Sequence, residues 1–181
     1  WAPTRGSLAG AALLAVPLYL AAFMEEITMR GYVQRTLFAS WGHAPAVLLS
    51  AVPFSLMHLG NPNPSVLGLL NIAIIGVFFS LTVVRTGNLW FATGCHVAWN
   101  FTLGPVLAIP VSGMEIQGLF HTEMTGADWL TGGSFGLEAS PLATALFLAM
   151  TLAALGACLL GRRFDEPDEG TAARPLTAPG G

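Results

Sequence analysis

The amino-acid sequence predicts an all-α protein, a polytopic bundle of about five transmembrane helices. Three observations carry that expectation. Of the 181 residues, 54% are hydrophobic and only 9% are charged, whereas a soluble domain carries about 25% charged residues. Apolar runs close to the roughly 20 residues of a membrane span recur along the chain. Short clusters of Gly, Pro and Asn separate them, and such clusters break helices. The net charge of −3 says little, because the position of the charges matters more than their sum; all seven basic residues are arginine, and the expected surroundings are a lipid bilayer, with no nucleic-acid partner. Cys95 and Cys158 both lie in apolar runs and read as small buried hydrophobes.

The elements follow in order. Leu8 to about Phe38 reads as one helix, longer than a bilayer requires, with Pro17 inside it and a tilt, kink or exit after Gly31. Ser40 to Ala44 reads as a turn. Pro45, at a first helical position, opens a second run to Leu59, which Pro53 bends. Gly60-Asn61-Pro62-Asn63-Pro64 is a turn. Ser65 to Val84 is a third span, and Arg85-Thr86-Gly87-Asn88 a turn. Leu89 to about Val111 is a fourth span, with Trp90 as an interface anchor. Residues 112–140 are Gly-rich and acidic and contain no Arg or Lys. There Glu115, Glu123, Asp128 and Glu138 read as solvated loop carboxylates, and His43 and His121 as solvated loop histidines. Pro141 to Leu160 is a fifth span.

The expected organisation is a core over residues 1–161, comprising a motif region at about 15–105, an extracytoplasmic loop at 112–140 and a last span at 141–160. Residues 162–181 read as a disordered cytoplasmic tail. Alternating the spans puts Arg35, Arg85, Arg162 and Arg163 on one side, which the positive-inside rule assigns to the cytoplasm. Arg5 and the acidic loop fall on the other. The chain opens on Trp1 rather than Met, so it is expected to be a segment lacking N-terminal helices.

Polar groups inside the apolar runs are the functional signal. Glu25-Glu26-Ile27-Thr28-Met29-Arg30 ends the first of them. Insertion scales put each such charge at roughly +2.5 to +3.5 kcal/mol at a helix centre, and such groups usually pair and line a functional cavity. Glu26 and Arg30, four apart, share a helix face and read as an orienting pair. Glu25 is rotated about 100° away and reads as the working carboxylate. His58 ends the second run; His96 and Asn100, again four apart, share a face of the fourth. Taken singly, each has a structural explanation: a histidine bonded to a carbonyl, an asparagine joining helices, an ion pair holding a bundle. Taken together, three helices can converge them on one cavity. A carboxylate and an imidazole can activate a water, and a second imidazole and an amide can stabilise an oxyanion. A His2Glu zinc site of Glu25, His58 and His96 is equally open at this point. His-Glu-x-x-His and Gly-x-Ser-x-Gly are both missing. A proton-coupled transporter using the same groups as a relay, or a non-catalytic scaffold or immunity protein, are the competing functions.

These residues resemble the CPBP family of intramembrane proteases, also called the type II CAAX prenyl protease or Abi family. Its pattern is EExxxR, FxxxH and HxxxN or HxxxD, matched in order by Glu25-Glu26…Arg30, Phe54…His58 and His96…Asn100. Gly31 and the Gly87-Asn88-Leu89-Trp90 lead-in are similar too. The resemblance implies a membrane endopeptidase with a cavity open to the cytosolic side. It implies Glu25 and His58 as water activators, His96 and Asn100 as oxyanion stabilisers, and Glu26 and Arg30 in support. Members carry a metalloprotease label, so a divalent metal such as zinc is the implied cofactor, alongside a metal-free glutamate–histidine alternative. The implied substrate is a protein or peptide, prenylated or otherwise membrane-anchored. Arginine without lysine in an Ala- and Gly-rich chain suggests a bacterial inner membrane.

Overall fold

The computed structural model describes residues 2–3 and 8–161, and the predicted tail at 162–181 lies outside the described residues, as do Arg5, Arg162 and Arg163. The chain is helical in the main. A two-residue antiparallel pairing, Ala2–Pro3 with Phe120–His121, is a minor addition.

Helix α1 spans Leu8–Glu26. It continues without a break into a wide-turn, π-helical stretch, Ile27–Gln34, and then into α2, Arg35–Trp41. The whole is 34 residues long, consistent with the predicted overlong first helix. The expected turn at Ser40–Ala44 contracts to Gly42 alone, whose φ of 81° ends α2. Helix α3 runs His43–Met57, so Pro45 falls in its first turn, where a missing N–H leaves no helical bond unmade. His43 is accordingly not a solvated loop residue: its ring stacks on Phe38 at 4.0 Å. A tight 3-10 turn, His58–Gly60, closes that segment.

Helix α4, Val66–Thr86, is capped at both ends. The Ser65 hydroxyl accepts from the Gly68 N–H, and Gly87, at φ 72°, donates its N–H to the Val83 carbonyl. Helix α5, Trp90–Phe101, passes into a second wide-turn stretch, Thr102–Val106. The predicted fourth span therefore stops short of Val111. Pro105 cannot donate to the ladder, and beyond Val106 the chain folds back, with Ala108 at φ 55° and Val111 paired to Met114. Among the described residues four helices are long and apolar enough to cross a membrane, and α5 is not one of them. Residues 112–140 form a short helix α6, Asp128–Thr131, and two 3-10 turns. Helix α7, Pro141–Leu160, starts from a Ser140 cap.

Helix α4 is the central rod. Half of its apolar window is buried in protein, against 11% for Leu8–Trp41, because α3, α5 and α7 all pack on it. The main apolar cluster joins Met29, Phe54, Ile72, Phe78, Phe79, Ala92, Phe135 and Ala139. The side chains left exposed on α1 and α7 are mostly Leu, Val and Ala, as expected of faces turned to lipid.

Candidate active site

The polar groups of α1, α3 and α5 meet beside α4. Glu26 and Arg30 are both fully buried, and Arg30 Nη1 donates to Glu26 Oε1 at 3.1 Å. Arg30 Nη2 donates to the Gly76 carbonyl at 2.9 Å, and its Nε lies 3.4 Å from Ser80 Oγ. Its guanidinium carbon sits 4.1 Å from the Phe54 ring centre, a cation–π contact that adds to the pairing in a dry site. The π-helical stretch places Arg30 and its successor Gln34 against α4, where Gln34 Nε2 donates to the Ser80 carbonyl at 3.2 Å. Ser50 of α3 joins through its hydroxyl, 3.1 Å from that of Ser80.

Both histidines are oriented by their Nδ1 atoms. His58 Nδ1 lies 2.9 Å from the Phe54 carbonyl, which can only accept, so Nδ1 carries a proton. His96 Nδ1 lies 3.0 Å from Glu26 Oε1, an oxygen that already accepts from Arg30, so here too Nδ1–H is the donor. The stacking of His96 on Phe79, centroids 5.2 Å apart, holds the ring plane. Each imidazole thus directs Nε2 toward Glu25. Glu25 Oε2 is 4.0 Å from His58 Nε2 and 3.8 Å from His96 Nε2. That oxygen is buried and has no hydrogen-bond partner among the described residues. A water about 2.8 Å from both Glu25 Oε2 and His58 Nε2 fits the 4.0 Å gap.

The same atoms set the room that a zinc ion would have. A tetrahedral site with bonds of about 2.1 Å has ligand–ligand edges of about 3.4 Å. The two separations from Glu25 Oε2 are wider, and among the described residues no trio of His, Cys, Asp or Glu stands in a metal-holding arrangement. The donor types suit zinc; the spacing does not close around it.

A cavity of about 60 Å³ adjoins the histidines, its walls including Phe79, Trp99, Phe147 and Met150. Asn100 lines it, and its side-chain amide makes no hydrogen bond with the described residues. All six sequence-predicted residues therefore gather in one region: Glu26 and Arg30 behind, Glu25, His58 and His96 in the centre, Asn100 on the cavity wall.

Two features depart from expectation. Glu138 is not a solvated loop carboxylate. It is buried and lines the cavity with Ser112, because the folded-back segment after Val106 and the turn before α7 close over that end. The Gln34, Ser50 and Ser80 network was also missed, although a signal existed: Glu26, Arg30 and Gln34, like Ser50, Phe54 and His58, follow a four-residue spacing on one helix face. Glu138 offered no such local signal. Glu115, Glu123, Asp128 and His121 are exposed, as expected.

Fold and site together define a helical membrane protein with a carboxylate–imidazole centre buried in its bundle. Residues 7–102 match the family model of the type II CAAX prenyl endopeptidases, Rce1-like, and the chain belongs to that family. It is thus a CAAX-type intramembrane protease in the general sense, an integral membrane protein whose substrate is a protein. No curated protein and no solved structure matched the chain. The matched residues include all six site residues, whereas Ser112, Glu138, Phe147 and Met150 lie beyond them.

Proposed function

We propose that the chain hydrolyses a peptide bond of a membrane-anchored, prenylated protein by attack of a water held between Glu25 and His58. The observation that carries this reading is the buried, unpartnered Glu25 Oε2 facing two imidazole Nε2 atoms at 3.8 and 4.0 Å. A water there donates one hydrogen to Glu25 and one to His58, leaving a lone pair for the carbonyl carbon. Glu25 takes the first proton as the new C–O bond forms. The oxyanion is met by the Asn100 amide and by His96 Nε2, which donates when both ring nitrogens carry protons, Nδ1–H already being committed to Glu26. Collapse of the tetrahedral intermediate breaks the C–N bond, and the proton passes to the leaving amine. Glu26 and Arg30 hold His96 and do not touch substrate. Water activation on this path uses only side chains of this protein, in keeping with a spacing that suits a water better than a zinc ion. The arginine-only basic set favours a bacterial inner membrane.

The test is cleavage of a prenylated reporter peptide by purified protein. Glu25→Ala and His58→Ala are each expected to lower the rate by at least about 10²-fold without lowering the thermal midpoint, and a zinc chelator to leave the wild-type rate unchanged. Full cleavage by Glu25→Ala would refute the water-activation scheme. Loss of activity to the chelator, restored by added zinc, would replace it with a metal-bound water.

A further inference from the structure

The most isolated carboxylate in the bundle is Glu138. It is 6% exposed, and no arginine or lysine occurs anywhere in 112–140. Its charge is met by three donors instead. Oε1 accepts from Trp99 Nε1 at 2.9 Å; Oε2 accepts from the Ser112 N–H at 2.5 Å and from the Ser112 hydroxyl at 2.7 Å. These donors come from two places that matter to the cavity. Trp99 lies between His96 and Asn100 on α5, and its ring packs edge-on against Phe147 at 5.1 Å. Ser112, at a left-handed φ of 47°, is the corner of the segment that folds back over the end of α5. The Glu138 backbone is itself anchored, since its carbonyl accepts from Asn71 Nδ2 of α4 at 2.7 Å. A single buried glutamate thus links three parts of the chain, its carboxylate holding α5 and the closing segment and its backbone carbonyl holding α4.

We propose that Glu138 is a positioning residue for the proposed reaction: it fixes Trp99, and through it the α5 face bearing His96 and Asn100, and it keeps the Ser112 corner closed over the cavity. The proposal rests on the hydrolytic reading of the site. Without Glu138 the indole N–H and the Ser112 donors are left unpaired in an apolar site, and the α5 face shifts to find partners. A misplacement of about 1 Å at a reacting group costs up to roughly 10²-fold in rate. Because Glu138 does not touch the reacting atoms, the loss falls on kcat far more than on KM.

Glu138→Gln keeps the shape but replaces an accepting oxygen by an NH2 that only donates. With the reporter peptide, Glu138→Gln is expected to lower kcat by roughly ten- to a hundred-fold, Trp99→Phe to do likewise, and the double variant to lose little more than either single one, since both break the same link. Fully additive losses would overturn the proposal, as would wild-type kcat in Glu138→Gln. A second readout needs no catalysis. Cys95 lines the cavity and is half-buried, whereas Cys158 is fully buried, so the rate at which N-ethylmaleimide modifies Cys95, followed by mass spectrometry, reports closure. That rate should rise several-fold in Glu138→Gln and stay unchanged in Glu123→Gln, an exposed control. If the wild type cleaves nothing, the hydrolytic reading fails, and the Cys95 rate still decides whether Glu138 closes the cavity. Should Glu138→Gln not fold, Trp99→Phe and Ser112→Ala each remove one donor and face the same comparison: unchanged Cys95 rates in both would sink the idea.

Discussion

Arg30 shows how much one side chain settles here. Its fork meets Glu26, the Gly76 carbonyl and the Ser80 hydroxyl while its flat face lies on Phe54. A lysine ammonium is a compact point charge and cannot reproduce that planar set. Removing the guanidinium leaves the Glu26 carboxylate buried and facing only His96. Breaking a buried ion pair in this way costs about 3–5 kcal/mol. Arg30→Ala is therefore expected to lower the thermal midpoint in detergent and abolish cleavage, with Arg30→Lys between it and wild type; an Arg30→Ala protein as stable as wild type would contradict a structural role for the pair. That Glu26, and not Glu25, hydrogen-bonds Arg30 was legible in the sequence, since it follows from the 100° step between adjacent helical residues. The burial of Glu138 was not, because its three donors lie 26 to 39 residues away along the chain.

At the scale of elements, the site depends on how closely α3 and the wide-turn stretch approach α4. Gly76 permits it. A Cβ there would stand 3.0 Å from Phe54 Cδ1 and 3.2 Å from Arg30 Nη2, so alanine pushes the aromatic ring and the guanidinium together off the helix. Overpacking of this kind costs about 1–3 kcal/mol. Gly76→Ala should lower both the thermal midpoint and kcat, while Gly94→Ala, with open space at its Cβ, should lower neither. Equal behaviour of the two would show that the contact is not tight. Helix existence was readable from apolar runs and turn residues. The π-helical stretches were not. Their widened turns follow from where Arg30, Gln34 and Pro105 must sit against neighbouring elements, and no local pattern in 27–34 announces that.

For the whole molecule, the question is what the residues beyond the family match contribute. Residues 7–102 hold every catalytic candidate, but the cavity is completed by Glu138, Phe147 and Met150. The joint between the two parts is Asn71. Its amide donates to the carbonyls of Glu138 and Ser140, and its oxygen accepts from Thr144. The identity of its partners required the folded chain. Asn71→Ala strands the Glu138 carbonyl in the interior, a loss of about 1–3 kcal/mol, while the Ser140 carbonyl and the Thr144 hydroxyl keep their bond to each other. If the C-terminal part merely covers a finished site, that variant should melt earlier and still cleave normally well below its midpoint. If α7 and the Glu138 turn build the cavity, cleavage should fall at temperatures where the fold is intact, and Cys95 should become more reactive in step. The packing of α7 along α4, with Phe147 against Trp99, favours the second outcome; normal cleavage with an unchanged Cys95 rate would establish the first.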